Sequence, residues 1–524
     1  MSEMNKIKSI PAEKFQFVNE GERIHDKKFD DKPVSYFHDA FKRFCKSKAS
    51  VAAAIIIIII ALFSFLAPLL IRSHDSKFID TNYAKKPPRI ELFKNLGWDT
   101  GHTSRSFSEK SLIKALAVGV AAENKEGVGT SIKDAMDSEY QPILSINKVS
   151  ESIAPNGKTM LSYSAHIDNY LEVGFVYKSV EQAEYKRIVE WQEKTGLQVL
   201  YPLVENNEYN MEPSDANYWY KSVGGTPVKT DAEGNVKRLS YSEDLVLEDN
   251  YKRDADGNLI YYEYTGGGNK DTAQYMVRVL YYNYFRYLND AEPFYIMGTD
   301  SQGYDMALRL AGGVRLSLVL AVCIATINFI IGAMYGSIEG YYGGAADIIM
   351  ERVTDILVNM PFIVVVTLFQ IYLAGKVGPV VCLIFAYMLT GWIGTASRVR
   401  TQFYRFKNQE YVMAARTLGA RDRRIIWKHI FPNTLGTIIT SSALAIPGVI
   451  LTESTLSYLG IVKLGTAETT SLGTLLSDAE GIWINYPHLM FFPAIFISLL
   501  MICFNLFGNG LRDAFNPALR GVEE

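Results

Sequence analysis

The chain has 524 residues and a formal net charge of −3, which gives no indication of a nucleic-acid partner. Hydrophobic residues make up 48% of it, and they are concentrated in long runs instead of being spread as in a soluble multidomain protein. The four cysteines, Cys45, Cys323, Cys382 and Cys503, lie in or beside those runs, so a disulfide framework is not expected.

Common catalytic and metal-binding motifs are absent from the sequence. The glycine-rich stretch 266–272 lacks the Gly-Lys-Ser/Thr order of a P-loop, and neither HExxH nor GxSxG occurs. The Asp-rich turns at 231–235 and 254–258 lack the ligand spacing of a calcium loop. We therefore expect no catalytic residue, no metal site and no cofactor held by this chain itself.

The N-terminal segment 1–48 is polar and charged, and only its end shows a periodic pattern. Val34, Phe37, Phe41 and Phe44 recur at helical spacing among basic residues. We expect an amphipathic helix on the inner membrane surface, and a helix packed on a partner is an equally open interpretation.

The uncharged run 49–71 has 23 residues. At about 1.5 Å per residue it is long enough to cross a hydrocarbon core of about 30 Å. It is too long and begins too late for a signal peptide, and it lacks a small-residue cleavage site. The four basic residues just before it place the N-terminus in the cytoplasm; they are Lys42, Arg43, Lys46 and Lys48.

Five further apolar runs predict membrane spans, which brings the total to six and places both termini inside. These runs are 314–337, 353–375, 377–397, 434–456 and 488–508. The loop 397–433 holds nine lysines and arginines against Glu410 and Asp422, whereas the turn 374–379 has only Lys376. By the positive-inside rule, loop 397–433 is cytoplasmic.

The polar segment 72–297, which we call the insert, lies outside the membrane in this topology and is predicted to be an α+β domain. Ser179 with Gln182 resembles a capping box for a helix that ends at Gly196. Predicted strands and hairpin turns complete it; the strands are 159–167, 171–178 and 258–265, and the turns are 231–235 and 254–258.

Tyrosines are dense just before the chain returns to the membrane, at Tyr275, Tyr281, Tyr282, Tyr284 and Tyr287. We interpret them as interfacial anchors of a descending helix, and a peptide-binding aromatic surface is a second possible use.

The cytoplasmic segment 409–433 is basic and has the pattern of two helices around a turn. Ala414, Ala415 and Arg416 favour helix, and Gly419 is suited to a positive φ at the helix end. A second helix is predicted from Asp422 to residue 430, closed by Pro432. Such a unit between two spans is suited to bind another protein and to transmit its movement to the spans.

The spacing of Ala414, Ala415, Gly419 and Pro432 resembles the cytoplasmic "EAA" loop of ABC importer permeases. With Glu410 and Arg416, the pattern is similar to the C-type subunit of oligopeptide and dipeptide permeases, although Met413 stands where the acid of the motif is usual. The resemblance implies that these residues contact an ATPase; they are Glu410, Ala414, Ala415, Arg416, Gly419 and Pro432. We call 409–433 the coupling loop.

A second resemblance lies before the second span, in residues 298–305, which we call the outer loop. Gly298, Thr299, Asp300, Gly303 and Asp305 are similar to the GTDxxGRD segment of the same subunits, with Tyr304 in place of the usual Arg. The resemblance implies that they shape the outer mouth of a pathway, and a plain connecting turn is an equally open reading. Further matches include Asp347 and Arg400.

Glu453 is an acidic residue within a predicted span. It lies 19 residues after Thr434, about 28 Å across the membrane at about 1.5 Å per residue, and so near the outer surface. We expect an interfacial or structural role for it, with contact to passing substrate as the alternative.

The resemblance implies an all-α polytopic membrane protein with the type I ABC importer permease fold, carrying an inserted extracellular α+β domain. Its permease core would be 298–513, followed by a cytoplasmic tail, 514–524. Such a subunit of a peptide importer in the cell membrane works with a B-type permease subunit, two ATPase subunits that bind ATP and Mg, and an extracellular peptide-binding protein. Nickel or another small solute is the main rival cargo, and a membrane receptor with an external sensing domain is a more distant alternative.

Overall fold

A computed structural model describes residues 36–71, 79–90, 100–123, 131–133, 136–153, 159–209, 214–265, 274–465 and 470–515. Val34 and most of the predicted tail 514–524 lie outside the described residues. The first helix is α1 (Tyr36–Lys46), in which Phe44 is buried while Phe41 is exposed. The Phe44 ring lies 5.5 Å from that of Phe507, so this helix packs on the chain's own last helix.

Five helical segments in the described part of the chain are long and apolar enough to cross a membrane. They are α2 (Lys48–Leu70), α6 (Met306–Tyr342), Pro379–Phe406, Asp422–Tyr458 and α16 (His488–Phe515). Two shorter helices, α7 (Gly344–Val358) and α8 (Phe362–Val377), are long and apolar enough only as a pair, and the chain bends by 71° between them. Counted as one bent span, they bring the number to six. The bend falls just before Pro361, where a residue preceding proline disfavours helical geometry.

One of these segments, Pro379–Phe406, is made of two separate helices. They are α9 (Pro379–Thr390) and α10 (Ile393–Phe406). Gly332, Gly336 and Gly340 of α6 form a stripe against α10, and a Cβ at Gly336 would lie 2.2 Å from the carbonyl oxygen of Ala396. Small residues at this spacing allow two backbones to approach closely, so α6 and α10 are tightly packed against each other.

Between α2 and α6 lie all the described β-strands and three α-helices. In chain order the elements are β1 (His102–Ser108), α3 (Glu109–Glu123), β2 (Ile143–Ile153), β3 (Thr159–Asp168), β4 (Phe175–Glu181), α4 (Gln182–Thr195), β5 (Leu200–Tyr201), β6 (Ser222–Val223), β7 (Thr226–Thr230), β8 (Val236–Arg238), β9 (Tyr262–Thr265), β10 (Gln274–Leu280) and α5 (Tyr281–Asn289). They form three antiparallel sheets in the orders β1-β3-β2, β4-β10-β5 with β9 beside β10, and β6-β7-β8.

The core of the insert surrounds α3, whose residues from Leu112 to Ala122 are almost all buried. Trp219 packs against it, fully buried, and its indole nitrogen donates to the carbonyl of Ala117 at 3.0 Å. A helix that is apolar on all sides requires cover on all sides, which explains why strands and loops surround α3.

The two chain ends of the insert meet above α6. The segment 80–89 is hydrogen-bonded along 295–303, with amide-to-carbonyl distances of 3.1 Å for Asp80 to Gly303 and 2.9 Å for Lys85 to Asp300. Buried tyrosines pack beside this seam; they are Tyr83, Tyr170, Tyr281 and Tyr295. The insert is therefore anchored to the helical core at one seam.

The predicted capping box is wrong, while the predicted helix end is confirmed. Ser179 lies inside β4, and its hydroxyl donates to the Gln274 side chain at 2.6 Å on the neighbouring strand. The helix begins at Gln182, and Gly196 ends it with φ +74°. Strand pairing with β10 explains the difference, because local sequence does not show that partner.

Two of the predicted strands begin later than expected, and both hairpin turns are present. A short 3₁₀ turn, Leu171–Val173, precedes β4, and β9 covers only the last four residues of 258–265. Asp231 and Asp254 close their turns by accepting from the amides of Asn235 and Asn258 at 2.7 and 2.8 Å.

Interfacial anchoring by the tyrosines is also wrong. Tyr281 and Tyr282 are buried within the insert, and α5 ends at Asn289, well before the next long helix begins. The Tyr281 hydroxyl donates to Asp80 at 2.6 Å. These rings serve the internal packing of the insert, because their hydroxyls find protein partners there.

Candidate functional site

The coupling loop folds as two helices around a glycine turn, as predicted. The first is α11 (Glu410–Thr417), and Gly419 follows it with φ +79°. The second begins as α12 (Asp422–Arg424) and continues as a π-helical turn, Ile425–Ile430. A Cβ at Gly419 would meet no atom within 4 Å, so the backbone angle, and not space, requires glycine there.

Pro432 does not close the second helix, contrary to the prediction. The chain runs on through α13 (Phe431–Ala443) and α14 (Ala445–Tyr458), with Pro432 in the first turn of α13, and α15 (Leu472–Glu480) follows before α16. Proline lacks an amide donor, and it is tolerated in a first turn. The π turn before it shifts the hydrogen bonding, and the Asn433 side chain donates to the carbonyl of His429 at 2.9 Å. The coupling loop is therefore continuous with a long helix.

The inner face of the coupling loop is apolar and packed on the helical core. Val412, Ile425 and Ile430 are fully buried, in contact with Val399 and Phe403 of α10. Burial of each such side chain is worth about 1.5–3 kcal/mol. The loop is thereby fixed to α10 as one body.

Tyr341, near the end of α6, contacts both α11 and α12 of the coupling loop. Its hydroxyl donates to Asp422 at 2.5 Å and accepts from Arg416 at 3.4 Å. The Arg416 guanidinium also lies 5.8 Å from the centre of the Tyr341 ring. These contacts connect both α11 and α12 to α6, so a movement of either helix would be transmitted to α6.

The outer face of the coupling loop has little contact with the rest of the described chain. Glu410, Met413 and Ala414 are exposed, and Leu418 is 87% exposed at the tip of the turn. Exposed basic residues flank this tip; they are Arg416, Arg421, Arg423 and Arg424. A leucine so exposed within a basic surround is suited to a pocket on another protein.

A charged cluster lies where the end of α6 and the first half of α7 meet the middle of α10. Arg400 binds Asp347 with two hydrogen bonds of 2.6 and 2.8 Å and Glu351 with two of 3.0 and 3.2 Å. Glu339 lies 3.5 Å from the same guanidinium. In the sequence Asp347 and Arg400 are only separate matches, because they lie 53 positions apart, and the fold brings them together.

The outer loop is a tight turn, with its two glycines at φ +77° and +94°. The Asp300 carboxylate accepts from the amides of Gln302 and Tyr304, both at 2.9 Å, and from Arg309 at 3.1 Å. Tyr304 is buried, and the Arg309 guanidinium lies 4.8 Å from its ring centre. Tyrosine thus contributes a cation–π contact where the resembling segments carry arginine.

The insert covers the outer loop closely. A Cβ at Gly303 would lie 2.1 Å from the carbonyl oxygen of Asp80, and one at Gly298 would lie 2.4 Å from that of Lys86. Thr299 accepts from the Lys86 amide at 2.8 Å and donates to the carbonyl of Tyr83. Any opening of the outer loop must therefore move the seam of the insert.

Asp305 caps the start of α6 by accepting from the Ala307 amide at 2.8 Å. Burial raises the pKa of this carboxyl from 3.8 to about 6, and the amide hydrogen bonds oppose the shift. The cap therefore changes charge near neutral pH.

Glu453 lies in α14 and is 1% exposed, enclosed by protein. Its carboxylate accepts from the hydroxyls of Ser317 at 2.9 Å and Ser457 at 3.1 Å. Ser317 belongs to α6, so this carboxylate joins two membrane helices. The site residues predicted in the coupling loop thus lie at one end of α6, and those predicted in the outer loop lie at the other end. Glu453 is apart from both groups.

Comparison with known proteins identifies two matching family models. Residues 329–521 match the inner membrane component of binding-protein-dependent transport systems, and residues 35–88 match the N-terminal transmembrane domain of oligopeptide transport permease C. Neither range includes residues 89–328, which hold most of the insert.

Curated relatives align with this chain over about 43% of its length. The oligopeptide transport system permease protein OppC of Bacillus subtilis is 43% identical over 223 residues, which are 72% of that protein. The dipeptide transport system permease protein DppC of Bacillus subtilis is 42% identical over 68% of its length, and OppC of Haemophilus influenzae is 43% identical over 71%. The chain is therefore a multi-pass membrane protein that belongs to the family of inner-membrane permease components of binding-protein-dependent transport systems.

Proposed function

We propose that this chain is the C-type permease subunit of an ATP-driven peptide importer, forming half of the translocation pathway. The observation that carries the proposal is the coupling loop, which is buried on its inner face and exposed on its outer face between membrane helices. The relatives are named for oligopeptide and dipeptide transport, which favours peptides over nickel or another small solute and over a receptor.

In this proposal the coupling loop sits in a groove of an ATPase subunit. Glu410, Ala414 and Leu418 present the contact surface, and the exposed arginines add charge complementarity. Met413 supplies no carboxylate, so binding to the ATPase subunit depends on the shape of the loop, on Glu410 and on the basic residues. Closure of the ATPases moves the loop, and its buried face carries the movement into α10 and, through Tyr341, into α6. Nucleotide drives transport only if it binds one of the two states more tightly.

The partners follow from the same proposal. Two ATPase subunits bind ATP and Mg and perform the hydrolysis, a B-type permease subunit supplies the other half of the pathway, and an extracellular protein delivers peptide. This chain supplies shape and movement and no catalytic group.

The topology of the proposal has six spans, with α7 and α8 forming one bent span. Both termini and the coupling loop are cytoplasmic, supported by the nine basic residues of 397–433. The insert, 72–297, is then extracellular, and the outer loop forms part of the outer mouth beneath it. Glu453, apart from both loops, acts as a structural link between α6 and α14.

A charge placed at the tip of the coupling loop tests the proposal. Leu418→Glu is expected to reduce peptide uptake by the assembled importer at least tenfold and to reduce co-purification of the ATPase, because a carboxylate replaces an apolar contact. The matched control is Leu288→Glu, a leucine 49% exposed on α5 of the insert. Peptide uptake in membrane vesicles and the amount of ATPase bound to the tagged chain are measured.

Wild-type uptake and wild-type ATPase recovery in Leu418→Glu would show that this tip is not the ATPase contact. If tagged wild-type chain recovers neither an ATPase nor a second permease subunit, the importer assignment itself fails.

A further inference from the structure

The insert contains a large open cleft beside the outer loop. Its volume is about 970 Å³, within the range of small-molecule and short-peptide sites. One wall comes from β1, α3 and β4, and Tyr486, which precedes α16, closes the side toward the helical core. The cleft therefore lies between the insert and the permease core.

The position of Lys86 connects the cleft to the outer loop. Its amide donates to the Thr299 hydroxyl at 2.8 Å, and its carbonyl accepts from the Thr299 amide at 3.0 Å. The Lys86 side chain also lines the cleft. Lys86 therefore belongs both to the lining of the cleft and to the segment 80–89 that covers the outer loop.

The charges of the cleft leave one cation unmatched. Arg105 pairs with Glu172, and Lys114 pairs with Asp215, both within the lining. Within the described ranges, the Lys86 ammonium has neither a hydrogen bond nor an ion pair. Lys86 is therefore the cation of this cleft that is open to an incoming anion.

The two carboxylates whose charges reach Lys86 are engaged elsewhere. Asp80 accepts from the Tyr281 hydroxyl at 2.6 Å, and Asp168 accepts from the Tyr170 amide at 2.8 Å and lies 3.5 Å from Arg89. Burial, with Arg105 nearby, lowers the pKa of Lys86 to about 8, so the ammonium remains mostly protonated at pH 7.

The rest of the lining suits a short peptide better than a bare inorganic anion. Ser106, Ser108 and Ser214 offer hydroxyls for main-chain hydrogen bonding, and Phe107 and Tyr177 offer apolar surface. These hydroxyls and apolar surfaces, together with the fixed charge of Lys86, suit the main chain, the side chains and the terminal carboxylate of a peptide.

From this geometry we propose that the cleft binds the substrate peptide, with its C-terminal carboxylate on Lys86, before it enters the outer mouth. The inference rests on the proposed function, because it takes the transported peptide as the ligand. Its consequence is that the insert receives peptide directly, in addition to any contact it makes with the delivering protein.

The test uses the full chain with its partner subunits in lipid nanodiscs, without the binding protein. The probe is a pentapeptide with uncharged side chains and an N-terminal fluorophore, as the free acid and as the C-terminal amide, and fluorescence anisotropy gives the dissociation constants. Wild type is expected to bind the acid at least about tenfold more tightly than the amide, the effect of one charge-assisted hydrogen bond.

Lys86→Gln is expected to bind acid and amide equally, at the affinity of wild type for the amide, whereas Lys86→Arg retains the preference for the acid. Lys237→Gln, an exposed lysine on β8 of the same insert, is the matched control and should behave as wild type. Three outcomes would each overturn the proposal. Wild type binds the acid and the amide equally, Lys86→Gln retains the preference for the acid, or no binding is seen at 1 mM probe.

The acid-to-amide comparison in wild type stands even if Lys86→Gln fails to assemble. ATPase recovery and peptide uptake are measured on the same preparations. Normal recovery and uptake without peptide binding in the cleft would refute this inference alone, whereas loss of both in wild type would refute the importer assignment.

Discussion

The coupling loop and the outer loop lie at opposite ends of α6, and both are glycine turns held by an aspartate and a tyrosine. The coupling loop leaves its tip in solvent, with Leu418 87% exposed and free space around Gly419. The outer loop is covered by segment 80–89, with no room for a Cβ at Gly303. The coupling loop is thus open to a partner in the proposed function, whereas the outer loop is already covered by a segment of this chain.

The difference indicates how the two ends respond to movement of α6. In the proposed function, the coupling loop receives movement through its contact with an ATPase subunit. At the outer loop, the insert is a permanent attachment, so movement of α6 reaches the seam and the cleft above it. The insert is thus placed to report or bias the state of the outer mouth.

The largest expected effect comes from filling the space at the covered turn. Gly303→Ala combines a positive φ of +94° with a Cβ only 2.1 Å from the Asp80 carbonyl oxygen. We expect it to lower the free energy of unfolding by about 3 kcal/mol or more. The thermal unfolding midpoint of the purified complex is the measurement.

Gly394→Ala is the control for this change, because it lies in α10 and a Cβ there meets nothing within 4 Å. Equal unfolding midpoints for Gly303→Ala and Gly394→Ala would show that the cover over Gly303 leaves room for a Cβ.

An intermediate effect is expected from the pH dependence at Asp305. Because the pKa of this carboxyl is raised from 3.8 to about 6, the folded state holds the proton more tightly than the unfolded chain. The stabilisation is fully present below about pH 4 and is lost as pH rises through 6. It amounts to about 2 kcal/mol between pH 4.5 and pH 7.

The measurement is the unfolding midpoint of wild type minus that of Asp305→Asn, followed across this pH range. The difference should decrease as pH rises, since asparagine keeps a side-chain oxygen for the cap and does not titrate. A difference that is constant from pH 4.5 to pH 7 would contradict the assignment of the buried acid.

The smallest effect on stability is expected at the open turn. Gly419→Val costs about 1–2 kcal/mol through the backbone angle alone, since no atom blocks its Cβ. We expect normal membrane insertion but strongly reduced peptide uptake, because the turn places Leu418 against its partner. Uptake in vesicles and the amount of chain in the membrane are measured.

Gly419→Asn is the matched variant, because asparagine tolerates the left-handed conformation better than valine. It should retain most of the uptake. If valine and asparagine at this position both transport at the wild-type rate, the shape of the turn does not govern coupling.

Features encoded by neighbouring residues were predictable. Five of the six apolar runs lie in helical segments long enough to cross a membrane, and 353–375 falls on the bent pair α7 and α8. The turn at Gly419, the helix end at Gly196 and the hairpin turns at Asp231 and Asp254 are also present in the structure. The resemblance carried by the coupling loop also led to the family that the comparisons identify. In each case a short stretch contains the whole physical cause.

Features that depend on a distant partner were missed. Ser179 was assigned to a helix cap because its pairing with Gln274 lies 95 residues away. The tyrosines of α5 were assigned to a membrane surface because their burial against Tyr83 and Asp80 is not visible locally. Pro432 was expected to end a helix, but the π turn before it allows the chain to continue.

Local pattern alone was enough to establish a polytopic membrane protein with two helices around a glycine turn in 409–433, because hydrophobicity, charge and glycine act over a few residues. Long-range packing alone set the seam between 80–89 and the outer loop, the Arg400 cluster and the unmatched Lys86. Those features require side chains from separate segments to be brought within a few ångströms, and only the closed fold supplies that proximity.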